Sequence, residues 1–510
     1  MKIRGFSWIW ALALGSSLAT AGLAQAEGPT FMLRDVQTPA SSYLSTEEIR
    51  AVTRAYVGQP ITFRDLQIMV GKLQALYTEA GVPTAQVVLP PQDIRDGVLK
   101  LGLIEAKIEA VEGVNNKTTH RDFLTSGLTL QVGEKPDYDQ IERDLRIFTL
   151  AHDIRPLINF RPGEVSGGTI ATIDPQEPER LSWGATLDNF GRKDTGRARL
   201  GLSLRIASLS GWRDSLQTNL TGTKGSWQGN MVYDRPMGLK GGHAYVGVYA
   251  TNASVIGGSL SDADVISDGR GAYLGYRFPV KVEHDRSLSA SLGLTWDNTK
   301  SRLAGVQFAD TTLTEVNGAL SFQRQQPLMQ LAGSVALHFG TARNARSSAG
   351  EGGYGLLKVN GSLSRLLTTD LGLNLDLNGQ VSPDRDLPIA RQFSVGGSSA
   401  LRGYPSDVRA APSGVMVRAQ LNKLKPIPTG LGDLAISPFA FADAALLVPH
   451  RTGMSNIQAE DKLFSLGLGA QMALPRGVGL SATIGVPMRD TTTFKGKGDA
   501  QLYVSLSAKF

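Results

Sequence analysis

Two residues far apart in the chain carry complementary charge chemistry. Arg402 sits in Leu401-Arg402-Gly403-Tyr404, at the end of the glycine- and serine-rich run that starts at Phe393, and Asp443 sits in Phe439-Ala440-Phe441-Ala442-Asp443-Ala444-Ala445. A guanidinium and a carboxylate withdrawn from water together make a bidentate pair of defined geometry. Removing either partner strands a buried charge. That chemistry is a latch, not a reaction. A lone arginine in a glycine-rich loop is usually an incidental surface cation, so the reading depends on parity: Phe439, Phe441, Asp443 and Ala445 share one face of an extended segment, and Ala440, Ala442 and Ala444 share the other.

Reaction chemistry is not visible. There is no P-loop of the form Gly-x4-Gly-Lys-Ser/Thr and no His-Glu-x-x-His. The six histidines are scattered without the spacing of metal ligands. Gly396-Gly397-Ser398-Ser399-Ala400 lacks the closing glycine of a nucleophile elbow and lies in a loop. The expectation is no enzyme, no cofactor and no metal. Nucleic-acid binding is not expected either, because no basic cluster with interleaved aromatics occurs.

The elements that must position the pair follow from the 510 residues, which include 58 glycines and no cysteine. Lack of cysteine excludes disulfide scaffolds, thiol redox enzymes and cysteine-ligated zinc. A mean hydropathy of −0.09 argues against a bundle of membrane helices. It leaves open a transmembrane β-barrel, whose two opposite faces average to near zero. Lys2 and Arg4 precede an apolar stretch from Phe6 to Leu14, and Ala24-Gln25-Ala26 has the form of a cleavage site. Residues 1–26 therefore read as an export signal. Its removal takes away two cations and no acids, so the formal charge of +6 becomes +4.

From Phe31 to about Pro178 the pattern mixes helix and strand. Ser45-Thr46-Glu47-Glu48 has the form of a capped helix start. A second helix is predicted from about Phe63 to Ala80, with Leu66, Ile68, Met69, Val70, Leu73, Leu76 and Tyr77 on or near one face and Gly81 at its end. Strands are expected at Ala85 to Leu89 and Val98 to Leu103. The order then repeats with a helix at about Tyr138 to Ala151 and strands near Ile154 to Phe160 and Thr169 to Ile173, which suggests two small α+β domains in tandem.

Beyond Leu181 alternation replaces the helical period. Leu200, Leu202, Leu204 and Ile206 alternate with Arg199, Gly201, Ser203 and Arg205, and Leu371, Leu373, Leu375 and Leu377 with Gly372, Asn374 and Asp376. Sixteen candidate strands start near 181, 197, 214, 227, 243, 271, 286, 313, 329, 353, 370, 414, 433, 463, 477 and 500. A cation on the lipid face near mid-bilayer costs about 2–4 kcal/mol, and Arg197, Arg199, Arg205, Lys358, Arg418 and Lys509 all fall on the polar face. Leu502, Val504, Leu506, Ala508 and Phe510 form the apolar face of the last strand, a pattern similar to the signal read by the barrel-assembly machinery. The connection from Ser382 to Ser413 is long for a loop without secondary structure, which marks it as functional.

Leu401-Arg402-Gly403-Tyr404 resembles the [VIL]RG[FY] loop motif of the outer-membrane protein-assembly and secretion transporters. Phe441-x-Asp443-x-Ala445 resembles the FxDxG strand motif with which that arginine pairs in the superfamily, with Ala445 in place of glycine. Within it, the chain is similar to the TpsB-type two-partner secretion transporters, the haemolysin secretion/activation proteins, which carry two polypeptide-transport-associated (POTRA) domains. Pro91, Gln92, Gly97 and Glu105 match the pattern of their first POTRA domain, with Ala106 replacing a glycine. Asp188-Asn189-Phe190-Gly191 resembles the start of their first barrel strand. The resemblance implies POTRA-like domains at 27–113 and 114–180, and a sixteen-stranded outer-membrane β-barrel over 181–510 with a long loop at 382–413. The POTRA domains would lie in the periplasm and recognise a large TpsA-type exoprotein, which the barrel would pass to the cell surface without nucleotide. Some relatives plug the pore with an N-terminal helix, and Glu27 to Phe31 leaves no room for one, so the loop carrying Arg402 is expected to bear more of the closure. Insertion of other barrel proteins into the outer membrane and passive conduction by a porin are the alternatives.

Overall fold

The computed structural model describes residues 30–510 except 95, 166, 239–240, 259, 346–350, 385–386, 430–433, 449–460 and 492–493. The expected export signal lies outside the described residues. The chain forms two compact units, one running to Lys107 with Val165–Gly167 added, the other comprising Ile108–Glu164 and Gly168–Phe510.

The first unit contains β1 (Phe31–Met32), β2 (Asp35–Gln37), α1 (Thr46–Thr53), β3 (Pro60–Ile61), α2 (Phe63–Glu79), β4 (Gln86–Val88), β5 (Val98–Lys100) and β6 (Gly102–Ile104). Both helices start with a capping box, Ser45 with Glu48 and Thr62 with Asp65. Each satisfies two backbone donors that the first turn cannot. The buried stripe of α2 is Leu66, Met69, Leu73 and Tyr77, while Ile68 faces solvent. The strand expected over Val98 to Leu103 is interrupted at Leu101: β5 pairs parallel with β2 and β6 antiparallel with β4.

In the second unit β7 (Lys107–Gly113), α3 (Arg121–Ser126), α4 (Tyr138–Ala151), β8 (Arg155–Pro162) and β9 (Gly168–Gln176) form a three-stranded sheet of order β7-β9-β8 with two helices. β7 belongs to this sheet, so the break between the two sheets falls earlier than the boundary at 113/114 read from sequence; the chain passes from β6 to β7 with no shift in composition to mark it. Helix α3 was not expected, because six residues carry too little periodicity. It contributes Phe123 and Leu124 to a core with Phe148, Ile154 and Ile173.

Sixteen antiparallel strands close the barrel among the described residues: Leu181–Asp188, Arg199–Ala207, Ser215–Gly222, Ser226–Met237, Gly242–Ser254, Val265–Val282, Arg286–Leu303, Val306–Gln326, Met329–Asn344, Gly352–Leu366, Leu371–Val381, Ser413–Lys423 with a short continuation at Ile427–Pro428, Ala435–Val448, Asp461–Leu474, Val478–Pro487 and Gln501–Lys509. They are called barrel strands 1 to 16. Strands 6 and 8 begin at 265 and 306 rather than near 271 and 313 because they span 18 and 21 residues. Their first apolar residues, Val265-Ile266 and Val306-x-Phe308, are cut off from the rest of the apolar face by Ser267-Asp268-Gly269-Arg270 and Asp310-Thr311-Thr312.

Outward residues such as Leu202, Leu220, Leu292, Leu320, Leu337 and Leu468 are exposed, as a lipid-facing belt requires. Many glycines have a packing reason. Tyr245, Tyr249 and Tyr273 stand directly across from Gly275, Gly271 and Gly247, and a Cβ at any of these glycines would lie 2.3–2.4 Å from the tyrosine ring or hydroxyl. The seam joins strands 1 and 16 from Gly184↔Lys509 to Asp188↔Ser505. Trp183 and Phe510 extend it by exchanging both backbone hydrogen bonds at 2.9 Å and stacking rings at 4.3 Å. At the other end the Asn189 amide donates to the Leu502 carbonyl at 2.8 Å and accepts from the Val504 N–H at 2.9 Å, so a side chain prolongs the ladder.

The small sheet domain of this unit docks on the turn between strands 2 and 3. Asp153, just past α4, accepts from Arg213 Nη2 at 2.5 Å and Arg205 Nη2 at 2.7 Å. Ser208 Oγ donates to the Thr118 carbonyl at 2.7 Å and the His120 N–H to the Gly211 carbonyl at 2.8 Å. Burial would raise the Asp153 carboxyl, but Arg213 and Arg205 outweigh it and hold it below its usual range. His152, whose Nδ1 lies 3.2 Å from Nε2 of His243, is pushed down to about 3 by burial and then by His243, against Asp153 and Asp234 and with Arg213. A depressed imidazole contributes its stability in full above about 6.5 and loses it as pH falls from there toward about 3. Acidification from about pH 7 to pH 4 is expected to loosen this docking. Hydrogen exchange over 118–124 and 208–214, corrected for its intrinsic pH dependence, should rise more in the wild type than in His152→Phe. Equal rises in the two would remove His152 as the cause.

Candidate functional site

The connection between barrel strands 11 and 12 turns back into the lumen. It is not structureless: Ile389–Arg391 form a short 3-10 turn, and Phe393–Val395 pairs antiparallel with Arg409–Ala411. Three-residue strands carry too few alternating positions to be legible in sequence. The ribbon presents a tip from Gly396 to Val408. Gly396, Gly397 and Gly403 have φ of +115°, +87° and +91°, a left-handed backbone that glycine adopts without a Cβ clash.

At the tip, Arg402 donates from Nη2 to Asp443 Oδ1 and from Nε to Asp443 Oδ2, both at 2.8 Å, and its backbone N–H reaches Oδ2 at 3.1 Å. Its Nη1 donates to Gln420 Oε1 at 2.5 Å, and its guanidinium carbon lies 3.6 Å from the centroid of the Phe441 ring. Asp443 is 0% and Arg402 5% exposed. Arg418 adds a second cation, with Nε 4.0 Å from Asp443 Oδ2, while its Nη1 donates to the Ser399 carbonyl at 2.9 Å. The arginine thus has a fork on a carboxylate, a third acceptor and an aromatic face.

The neighbours of Arg402 are seated as closely. The Gly403 N–H donates to Tyr503 Oη at 3.1 Å, and that hydroxyl donates to the Tyr404 carbonyl at 3.1 Å. Gly403 lies so near Gly485 of strand 15 that a Cβ on Gly485 would be 2.7 Å from the Gly403 nitrogen. Tyr404 Oη lies 2.9 Å from the Arg489 carbonyl and 3.1 Å from that of Phe464. Leu401 and Tyr404 are fully buried, in a cluster with Val395, Met416, Leu447 and Leu463. Ala445, where the resembled motif has glycine, puts its methyl group into this cluster. Phe441 and Phe439 reach over Gly467 and Gly469 of strand 14, where a Cβ would fall 2.3 and 2.2 Å from the rings. The tip therefore contacts strands 12 through 16, with Asp443 held between two arginines at its centre.

The other sequence-derived residues lie in the first unit, where Gln92, Gly97 and Glu105 make structural contacts. The Gln92 side chain pairs with the backbone of Lys100, donating to its carbonyl at 2.6 Å and accepting from its N–H at 2.8 Å. Gly97 has φ +73°, and a Cβ there would meet the Met32 carbonyl oxygen at 2.5 Å. Glu105 Oε1 accepts from Ser41 Oγ at 2.5 Å and Tyr77 Oη at 2.9 Å. Pro91 is exposed. Sequence reasoning missed Gln420, Tyr503, Gly467 and Gly485. Their only signal is an inward parity on their strands, which dozens of other residues share.

A family model described as haemolysin secretion/activation protein ShlB/FhaC/HecB matches residues 167–471, more than half of the chain. A ShlB-type POTRA domain matches residues 31–106. The heme/hemopexin transporter protein HuxB of Haemophilus influenzae is 21% identical over 501 residues, covering 91% of this chain and 84% of that protein. The hemolysin transporter protein ShlB of Serratia marcescens is 24% identical over 409 residues, covering 77% and 72%. Among solved structures, CdiB from Escherichia coli superposes with a TM-score of 0.67 at 18% identity, over 97% of this chain and 93% of that one. With a closed sixteen-stranded barrel, a ShlB-type POTRA domain before it and a family match over most of the barrel, the chain belongs to the haemolysin secretion/activation protein family, the TpsB-type outer-membrane transporters of two-partner secretion.

Proposed function

We propose that the protein binds one large exoprotein in the periplasm through two POTRA domains, the β1–β6 unit and the β7–β9 domain, and passes it unfolded through the barrel once the lumenal loop leaves its seat. The observation that carries this reading is the buried Arg402–Asp443 fork, which holds a folded loop inside the conduit by side-chain contacts that can be released without breaking the barrel ladder. β8 lies at the edge of its sheet, and a cleft of about 600 Å³ separates it from the turn between barrel strands 6 and 7, lined by Leu145 and Leu150 of α4, by Leu157 and Ile158, and by His284 and Asp285 of that turn. An extended segment could add a strand there. In this reading transport proceeds without nucleotide, and folding of the exoprotein outside the cell gives direction. The last strand, ending at Phe510, would be read by the barrel-assembly machinery during insertion.

Depletion tests the proposal against its rivals. Loss of a single exoprotein from the cell surface, with other outer-membrane proteins at normal levels, is the expected result. A general loss of barrel proteins would replace secretion by assembly as the function, and a steady large conductance with every exoprotein still exported would leave a porin.

A further inference from the structure

The tip is not the only part of the loop that is fastened. Before the ribbon, residues 382–384 and 387–391 lie against the wall on the other side of the loop's own base, over strands 7 to 10. Ser382 Oγ donates to the Gly355 carbonyl at 2.8 Å, and Asp384 Oδ2 accepts from the Gly355 N–H at 2.6 Å. Leu387 is buried in a cluster with Leu313, Ala342, Tyr354 and Leu356 of strands 8, 9 and 10. Arg391 then donates from Nη2 to Asp297 Oδ2 of strand 7 and from Nε to Glu315 Oε2 of strand 8, each at 2.8 Å. The side chains of Arg391, Asp297 and Glu315 are 14%, 6% and 7% exposed. Tyr354 Oη donates to the same Glu315 oxygen at 3.0 Å, and His338 Nδ1 lies 2.9 Å from the other. At the base, Gln380 Nε2 reaches both the Arg391 carbonyl at 2.7 Å and the Pro412 carbonyl at 3.0 Å, tying the two legs of the loop together.

We infer that Arg391 is a second latch. The loop is a strap fastened to two separated stretches of wall, by Arg391 and Leu387 on strands 7 to 10 and by Arg402 on strands 12 to 16, and the lumen clears only when both fastenings let go. Arg391 is a positioning residue: it acts by holding the first leg to Asp297 and Glu315. An arginine suits this place because its fork satisfies two carboxylates on adjacent strands at once, which a lysine ammonium does with poorer geometry. If release at the two ends is independent, the free energies add, and the effects on the open population multiply.

Single-channel recording of the purified full chain in planar bilayers reads the strap without any exoprotein, so its outcome is separate from that of the transport proposal. Arg391→Gln should raise the time spent in the fully open state about tenfold, the worth of one charge-assisted hydrogen bond. Arg391→Lys should recover part of that change. Arg391→Gln with Arg402→Gln should give about the product of the single effects. Because removing Arg391 takes from two buried carboxylates the cation they share, the triple variant Arg391→Gln, Asp297→Asn, Glu315→Gln keeps the test clear of barrel damage and should behave like Arg391→Gln. The chain has no cysteine of its own, so Leu387→Cys with Ala342→Cys, two positions of one buried cluster, offers a covalent tie for the first leg whose formation is checked by thiol titration. In the Arg391→Gln background this bond should restore wild-type closure until a reductant is added. Wild-type gating in both Arg391→Gln and the triple variant would overturn the inference. So would a double variant with Arg402→Gln no more open than Arg402→Gln alone, or a formed disulfide that fails to restore closure.

Discussion

Arg402→Ala should lower secretion of the exoprotein by about tenfold or more while the barrel still reaches the outer membrane, the cost of breaking a buried pair being about 3–5 kcal/mol. The substitution removes two side-chain hydrogen bonds to Asp443, one to Gln420 and the stacking on Phe441. Asp443, 0% exposed, is left with Arg418 at 4.0 Å as its nearest cation. The carboxylate cannot move to water, because it is fixed in strand 13 between Arg418 and Ser465 of the flanking strands. The loop can, so the strain is relieved by unseating the tip. Strand 13 keeps its full ladder throughout, which is why insertion should survive. Exoprotein in the medium, measured beside resistance of the barrel to unheated detergent, separates the two effects. Normal secretion by a correctly inserted variant would end the latch as a working part of transport.

A glycine without any functional group should matter as much. Gly485→Ala puts a methyl group 2.7 Å from the nitrogen and 3.0 Å from the Cα of Gly403. Both are backbone atoms, so no rotamer change relieves the contact, and Gly403 is already in a conformation with φ +91°. The tip must lift, taking with it the Gly403–Tyr503 hydrogen bond and the registration of Arg402 on Asp443. A loss of secretion of about tenfold, like that of Arg402→Ala, is expected even though Arg402 is intact. Gly379→Ala is the matched control, since a Cβ there meets nothing nearer than 3.8 Å. It should change secretion by less than about twofold, as surface substitutions away from special features cost no more than about 0.5 kcal/mol. Equal secretion by Gly485→Ala and Gly379→Ala would mean that the tip need not sit against strand 15.

Sequence reading reached far into the barrel because lipid on one side and water on the other impose a two-residue period that needs no knowledge of the partner strands. Fourteen of the sixteen starting points lie within two residues of the observed strands. The two that missed, strands 6 and 8, begin six and seven residues earlier than expected, where Ser267-Asp268-Gly269-Arg270 and Asp310-Thr311-Thr312 interrupt the apolar period. The helix starts at Ser45 and the helix at Tyr138–Ala151 were legible for the same reason, local capping and a local period. Helix α3 and the ribbon at Phe393–Val395 were too short for any period to accumulate.

The site divides along a similar line. Arg402 and Asp443 could be named from motif and parity, since each signal lies within about ten residues of chain. Gln420, Tyr503 and Gly485 could not, because what selects them is the depth at which the loop tip meets the wall. Arg391 shows this most plainly: in the sequence it is one cation in Pro388-Ile389-Ala390-Arg391-Gln392, with Asp297 and Glu315 on strands 94 and 76 residues away. By itself, then, the sequence determined that this is a sixteen-stranded barrel with an apolar outside, a polar inside and one loop bearing an arginine. Only the tertiary structure decided that the loop turns inward and is fastened at both ends. A periodic environment writes itself into every strand, whereas a loop's destination depends on pairings that close across the whole barrel.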